Sequence, residues 1–534
     1  MSWIDRGSRL AGLAAGLALI AFGAAAQQGP LSANDWLKGK SGPPTSSSAW
    51  RPGDPVPPDA SRLRPTRPPV RGQGGQVASS AAAVPIGVSR LGAANSDGAG
   101  VISARQAGLP DNFWDGTDLD TAIRLLRADP GLPASSQIAR RVIEAQLPPP
   151  AIPAEGRIGE FFLARVDQLI ADGALPSARV LLQGAGPDNA TTFRRLFDMS
   201  LLLGGEGEVC NRMNIAPGIA PDPAARIFCL AQAGDWPGAA TVFVGARKLG
   251  LIEPNQAELL ALYLDDSTAD GSTPVLPHDP MSPLSFRLHE AIGHPLPTTT
   301  LPLQFAWADL DERSGWKAQL EAAERLARAG VLPGGSLRQL YSAQSPAASG
   351  GVWERAAAVQ ALDAALVTED PDRIAPALVL AFQRMETAGL RDAFATMFAD
   401  RIAPETLSGN AARLALWLRL WSGQTEVALA PPEPLDKALL ALASGGQPEP
   451  LSPALGALAP IFAADLPPAP DPDDRIALAP ALYGALADAD AGTQGDVTRA
   501  ARGVQTLRHL GLIADARRVA TQIALDPLLK GAIQ

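Results

Sequence analysis

Apolar residues recur at the spacing of an amphipathic helix from Thr117 almost to the C-terminus, and this periodicity constrains the fold more than any other feature. In the segment 315–330 the apolar stripe consists of Trp316, Leu320, Ala323 and Ala327, and Leu326 lies beside it. The opposite face carries charged pairs four residues apart, namely Lys317/Glu321, Glu321/Arg325 and Glu324/Arg328. Such pairs stabilise a helix face that lies in water. The periodicity therefore predicts a helical body, with Glu321 and Glu324 on a solvated face.

Further segments show the same periodicity, and their connections are short and rich in Gly or Pro, as antiparallel helix pairs require. These segments are 157–172, 176–185, 191–203, 222–233, 237–249, 255–264, 352–367, 372–388, 409–421, 474–489, 498–510 and 514–525.

A recurrent joint separates several of the predicted helices, in which a Gly precedes an Ala by four or five residues. The joints are Gly173/Ala178, Gly234/Ala239, Gly389/Ala393, Gly423/Ala428 and Gly511/Ala516. Gly adopts the left-handed conformation that ends one helix, and a small Ala early in the next helix lets the two axes approach closely. The joints are irregularly spaced, so no single repeat period is present. The predicted fold is all-α: an irregular α-solenoid of antiparallel helix pairs, preceded by a disordered N-terminal region.

These joints resemble those of tetratricopeptide-like helical repeats, in degenerate form, across roughly residues 117–530. More narrowly, the segments FCLAQAGDW (228–236), GWKAQLEAAERL (315–326) and ASGGVWER (348–355) are similar to a family of exported bacterial helical proteins of unknown function. Members of that family sometimes carry an antifreeze-glycopeptide label. The resemblance implies a helical architecture and export, and it brings no catalytic residues.

Composition and periodicity together divide the chain into five predicted regions. These are a signal peptide (1–26), a short amphipathic docking peptide (27–39), a tether rich in Pro, Gly, Ser and Arg (40–110) with room for short extended segments at 85–105, and the two halves of a helical-repeat domain (111–300 and 301–534). The tether lacks the apolar surface that would offset the entropy of ordering it.

The N-terminus has the pattern of a secretory signal. Arg6 and Arg9 precede an uncharged run of Gly, Ala and Leu that closes on Ala24-Ala25-Ala26. The predicted location is therefore periplasmic or secreted. The alternative is an uncleaved signal that anchors the protein to the inner membrane, although the run of 17 residues is shorter than the ~20 that a spanning helix needs.

The docking peptide is predicted from capping residues around a tryptophan. Ser32 is a good N-cap, and Gly39 can end the turn that follows it. A Trp-bearing amphipathic helix at the free end of a tether can bind a partner groove, so Leu31, Trp36 and Leu37 are the predicted partner-docking residues. The alternative is that this peptide lies back on the body.

Charge is distributed unevenly along the chain. Residues 1–110 hold 11 Lys or Arg against five Asp, a net charge of +6. Because the whole chain has a net charge of −10, residues 111–534 carry −16. The basic tether can contact an anionic surface, but contact with the protein's own acidic body is favoured. Its arginines are not interleaved with aromatic residues, which argues against nucleic acid. The predicted partner is an envelope protein or peptide, with membrane contact only through an uncleaved signal or the weakly basic tether.

The only two cysteines, Cys210 and Cys229, are predicted to form a disulfide because export places them in an oxidising compartment. Closing a loop of this length is worth roughly 3 kcal/mol in the chain-entropy account. The alternative is a pair of buried free thiols.

One segment approaches a metal motif without completing it. His289 and His294 in HEAIGH are five residues apart, whereas a zinc-binding helix needs them four apart, and Gly293 and Pro295 interrupt the helix. A surface metal site that includes His278 is the alternative to a packed helix end. No metal ligand, cofactor or catalytic residue is predicted.

The sequence therefore predicts an exported, non-catalytic protein-binding or scaffolding helical-repeat module of the bacterial cell envelope. The alternative is a peptidoglycan-acting enzyme, or an inactive relative of the superhelix found in lytic transglycosylases. Their catalytic domain usually carries a Glu followed by Ser, and this chain has no Glu-Ser dipeptide.

Overall fold

The computed structural model of the chain describes residues 96–151, 156–186, 189–265, 275–428, 430–463 and 477–532. Within these ranges the body contains 22 α-helices and one two-stranded sheet, which confirms the all-α prediction. The signal peptide, the docking peptide and most of the tether lie outside the described residues, so the predictions for them stay predictions.

The helices of the first half begin at the end of the predicted tether. They are α1 (Ala104–Ala107), α2 (Leu119–Leu126), α3 (Pro133–Glu144), α4 (Glu160–Ala171), α5 (Leu175–Ala185), α6 (Ala190–Leu203), α7 (Glu206–Ile215), α8 (Pro223–Gln232), α9 (Trp236–Lys248), α10 (Pro254–Leu264) and α11 (Pro283–Ala291). Strands β1 (Ile102–Ser103) and β2 (Ala145–Gln146) pair in parallel, with Ile102 opposite Ala145.

The second half continues the succession of helices. It contains α12 (Trp316–Arg328), α13 (Gly334–Tyr341), α14 (Val352–Val367), α15 (Pro371–Thr387), α16 (Arg391–Phe398), α17 (Gly409–Ser422), α18 (Pro434–Ser444), α19 (Pro453–Ala463), α20 (Leu478–Asp490), α21 (Val497–His509) and α22 (Ile513–Gly531). Short 3-10 helices join several of them, at Ser96–Gly98, Pro217–Ile219, Thr298–Thr300, Leu303–Leu310, Pro404–Thr406 and Ala491–Gln494. Most helices pack against the next in the chain, and their buried apolar side chains form one continuous core.

Four of the five predicted joints are confirmed. The glycines at these joints have φ values of 75° (Gly173), 82° (Gly234), 69° (Gly389) and 84° (Gly511), in the left-handed region that only Gly adopts without strain. The alanine that follows each of them is buried at the start of the next helix. A small side chain at that point therefore allows the two helices to approach closely.

The fifth joint, Gly423/Ala428, is wrong. Gly423 does end α17 in the left-handed conformation, but the described residues between it and Pro434 form no helix, and Ala428 is exposed. Pro431, Pro432 and Pro434 explain the difference, because each lacks a backbone N–H and restricts the residue before it to extended conformations.

The stripe predicted for α12 is buried as expected, but its opposite face is not uniformly solvated. Lys317 and Glu321 form the predicted surface pair, with Nζ and Oε1 3.3 Å apart. Glu324 is instead only 1% exposed, which corrects its predicted place in solvent. Its carboxylate accepts hydrogen bonds from Tyr341 Oη at 2.8 Å and from Arg355 at 2.6 and 2.7 Å. Glu324 is therefore a buried link between α12, α13 and α14.

The last helix packs against the third, so the succession of helices returns to its own beginning. Gln522 of α22 is fully buried, and its side chain accepts from the Ala134 N–H at 2.9 Å and donates to the Trp421 carbonyl at 3.1 Å. Arg141 of α3 and Asp515 of α22 form an ion pair at 2.6 Å. An open solenoid lacks such contact between its ends, and no feature of the sequence predicted it.

Two helices obtain their N-terminal caps from distant parts of the chain. Gly131 and Leu132 lead into α3 and donate their N–H groups to Asp490 at 2.7 and 3.2 Å. Asp97 likewise accepts from the N–H groups of Gly159 and Phe162, at 2.7 and 2.8 Å, at the start of α4. A carboxylate stabilises these positions because the first N–H groups of a helix have no partner within the helix.

Arg165 of α4 is a buried cation that ties together the beginning of the body. Its guanidinium donates to the carbonyls of Asp97, Ala99, Ile143 and Ala145, at 3.3, 2.5, 2.7 and 2.7 Å. Burial lowers the pKa of Arg165 to about 10. Residues 96–110 were placed in the tether by sequence, whereas these bonds hold residues 97–99 against α4.

The cysteine pair is oxidised. Cys210 of α7 and Cys229 of α8 form a disulfide with their Cα atoms 4.8 Å apart, which confirms the predicted bond over the free-thiol alternative. Both residues are buried where α7 packs on α8. In the part of the chain that the structure describes, no helix has the length and apolar character needed to cross a membrane.

Candidate functional site: an apolar groove beside α17

A groove of about 390 Å³ lies between α17 and the two irregular segments that flank it, one before the helix and one after it. Its walls are largely apolar and include Leu407, Ala412, Leu416, Val427 and Pro431. Leu416 and Pro431 are buried, whereas the other three are partly exposed to the opening. The groove exists because the proline-rich segment after Gly423 cannot continue as a helix and packs beside α17 instead.

A fully engaged carboxylate lies at the floor of the groove. Asp436, in the first turn of α18, is 1% exposed and accepts from Arg413 Nε at 3.0 Å and from Trp417 Nε1 at 2.8 Å. The Arg413 guanidinium also stacks over the Trp417 ring, 4.8 Å from its centroid. Two exposed carboxylates, Glu405 and Glu433, line the groove as well. The groove thus combines apolar walls with net negative charge.

A second concave site is polar and lies where the first half of the body packs against the second half. This cleft of about 440 Å³ lies between α3, α4, the end of α12 and the start of α16. Arg140 of α3 crosses to donate to the carbonyls of Ala329 and Gly330, at 2.9 and 2.5 Å. The cleft therefore marks the closure between the first and second halves of the chain.

Two carboxyl groups in this polar cleft are perturbed by burial. Burial raises the pKa of Asp172, against the opposing effect of a hydrogen bond from Gln168 at 2.7 Å. Burial also raises the pKa of Asp392, which accepts from Trp421 Nε1 at 3.2 Å. A carboxyl with a raised pKa can hold a proton as a general acid, so the cleft has one element of hydrolytic chemistry.

Neither concave site was predicted from the sequence. Asp172 and Asp392 are far apart in the chain, and the one signal they share is that each lies beside a glycine joint, at Gly173 and Gly389. The predicted docking residues Leu31, Trp36 and Leu37 lie outside the described residues, and the disulfide residues line neither site.

The two histidines of the incomplete metal motif lie at the end of α11. His289 is 1% exposed, and neither of its ring nitrogens has a hydrogen-bond partner among the described residues. Among those same residues, no group of three or more His, Cys, Asp or Glu side chains is arranged to hold a metal ion.

The buried His289 makes stability depend on pH. Burial lowers its pKa, and the neighbouring His294 adds to the effect. Below about pH 6.5 the unfolded chain therefore takes up a proton that the folded chain binds only at lower pH, and the free energy of unfolding decreases. We expect His289→Leu to remove this contribution, worth at most about 1.4 kcal/mol per pH unit.

Urea unfolding at about pH 7 and about pH 5 measures this effect. The His289→Leu variant should lose less stability between the two pH values than the wild type, while His509→Leu, at an exposed position, should behave like the wild type. Equal losses in the wild type and in His289→Leu would contradict the prediction.

Comparison of this chain with protein-family models, with curated proteins and with solved structures finds no match.

Proposed function

We propose that this protein is an exported, non-catalytic binding or scaffolding module of the bacterial cell envelope, built from tetratricopeptide-like helical repeats. The observation that carries the proposal is the groove beside α17. Its walls are apolar, and its buried carboxylate, Asp436, is already held by Arg413 and Trp417. A general acid or base must reach a substrate proton, whereas a carboxylate engaged in this way gives the groove a fixed shape.

Export is supported by the signal pattern at the N-terminus and by the disulfide, since such bonds persist in oxidising compartments.

The chemistry of the groove indicates its ligand. Apolar walls favour an extended segment with Leu, Val or Pro side chains, and the carboxylates of Glu405 and Glu433 favour basic residues that flank it. The proposed partner is an envelope protein that presents such a segment.

Site-specific photocrosslinking in the native cell tests this proposal. A photoreactive residue at position 427, in the groove wall, should yield one discrete product, whereas the same residue at the exposed position 505 of α21 should not. Ala412→Trp fills the groove from its partly exposed side and should reduce the product at least about tenfold, a loss of ~1.4 kcal/mol in binding. Ala412→Ser is the matched control and should leave it unchanged.

The proposal is overturned if position 427 gives no product beyond that of position 505, or if Ala412→Trp and Ala412→Ser crosslink equally. A product from position 427 in Ala412→Ser that disappears in Ala412→Trp supports it.

The alternative is a peptidoglycan-acting enzyme, and one observation favours it: Asp172 and Asp392 share the polar cleft, and burial raises the pKa of both. Clearing of purified peptidoglycan by the wild-type protein, abolished in Asp392→Asn or Asp172→Asn, would establish this function in place of the binding role. Asp436→Asn is the control in the same assay: its residue lines the groove, so clearing that depends on the cleft should persist in this variant.

A further inference from the structure

A third cavity, of about 260 Å³, lies at the middle of α6 and shares no lining residue with the groove or with the polar cleft. Five apolar side chains line it: Ile170, Leu175, Met199, Leu202 and Pro283. The side chain of Gln304 adds a neutral polar group. The cavity is therefore an apolar chamber into which charged groups of α6 and its neighbours project.

The charges around this chamber are paired with one exception. Arg195 forms a bidentate pair with Asp167 of α4, at 2.5 and 2.7 Å. Arg194 turns towards Asp222 and donates to it at 2.8 Å. Asp198 also lines the chamber, and no described residue forms a hydrogen bond or an ion pair with its carboxylate.

An unpaired carboxylate in such surroundings is unfavourable. Burial raises the pKa of Asp198 to about 7, with Asp222 adding to the rise and the two arginines opposing it. The titratable groups near Asp198 are Arg194 and Arg195 on its own helix, Asp167 on α4 and Asp222 before α8. The other two elements at the cavity contribute neutral residues, Pro283 from α11 and Gln304 from the 3-10 helix Leu303–Leu310. When Asp198 is ionised, the arrangement has one surplus negative charge that a bound cation would neutralise.

We propose that this cavity is a binding site for a primary alkylammonium group, with Asp198 as the counter-ion and the apolar side chains contacting the alkyl stem. A compact ammonium fits better than a guanidinium because one carboxylate is free and the planar fork of a guanidinium seeks two acceptors. The shared chemistry of such ligands is a short methylene chain that ends in an amine. A lysine side chain of a protein partner and a free small amine both supply it.

Isothermal titration of the full-length protein tests the proposal. The probes are Nα-acetyl-lysine N-methylamide and n-butylamine, with the norleucine analogue, which lacks the ammonium, as the matched ligand control. The ammonium probes should bind at least about tenfold more tightly than the norleucine analogue. Tighter binding of the blocked lysine than of butylamine identifies a lysine in a chain, whereas equal binding identifies a small amine.

Two further measurements assign the binding to Asp198. Asp198→Asn should reduce the affinity at least about tenfold, while Asp372→Asn, at an exposed position of α15, should not change it. Because only the ionised carboxylate pairs with the ligand, the wild-type affinity should fall about tenfold between pH 8 and pH 6, given a pKa of about 7. The proposal is overturned if neither amine shows saturable binding, if Asp198→Asn binds as well as the wild type, or if the norleucine analogue binds equally well.

Discussion

Glu324→Ala is expected to lower the free energy of unfolding by about 3–5 kcal/mol, the range seen when one partner of a buried ion pair is removed. The substitution deprives Arg355 and Tyr341 of the acceptor that both now share. Arg355 is itself mostly buried, so its charge would remain in a poorly solvated place. Urea or thermal unfolding followed by circular dichroism measures the loss.

Glu321→Ala is the matched control, because Glu321 lies on the same helix and pairs with Lys317 on its exposed side. We expect it to cost at most about 1 kcal/mol, as exposed pairs do. The double substitution Glu324→Leu with Arg355→Leu removes both charges and should recover part of the stability lost by Glu324→Ala, although Tyr341 Oη still lacks the carboxylate acceptor. A loss in Glu324→Ala no larger than that in Glu321→Ala would contradict the buried network.

Arg165→Met is expected to lower the free energy of unfolding by about 3 kcal/mol or more, since it leaves four backbone carbonyls without their donor and each unsatisfied buried group costs ~1–3 kcal/mol. Methionine keeps much of the aliphatic stem, so the loss reports on the guanidinium rather than on packing. The first residues of the body should also loosen. The Val101 amide, which donates to the Glu144 carbonyl at 2.7 Å, should exchange hydrogen faster in the variant.

Hydrogen exchange by mass spectrometry separates this local effect from general destabilisation. Amides of α14, which are far along the chain from Arg165, should exchange hydrogen faster only to the extent that the global stability falls. Arg124→Met on α2 is the control, because Arg124 is exposed and donates a hydrogen bond to the nearby Thr121. Unchanged exchange at Val101 together with wild-type stability would contradict the role given to Arg165.

Local features of the fold could be predicted from sequence, because they depend on neighbouring residues. The stripe of α12 and the left-handed joints at Gly173 and Gly511 follow from helical spacing and from the conformational freedom of glycine. The disulfide could be predicted because only one pairing of two cysteines exists. The joint at Gly423 failed because the prolines that follow it override the local pattern.

Features that depend on distant residues could not be predicted. The i,i+4 pattern placed Glu324 in solvent, and its burial depends on Tyr341 and Arg355, which follow 17 and 31 residues later. Asp490 caps α3 from a position 359 residues away from Gly131. The same holds for the sites, because the groove and the cleft are assembled from segments whose approach no periodicity encodes.

The contact between α3 and α22 determines the order in which this chain can complete its structure. Ala134 and Gln522 are 388 residues apart in sequence, so the bond between them forms only after almost the entire chain has been synthesised. Until then, the flank of α3 that α22 covers stays open to water, and the earlier helices form an incomplete assembly. We therefore expect native closure to be a late folding event that requires the C-terminal helix, so that a chain lacking residues 513–531 would retain helices without reaching the native body.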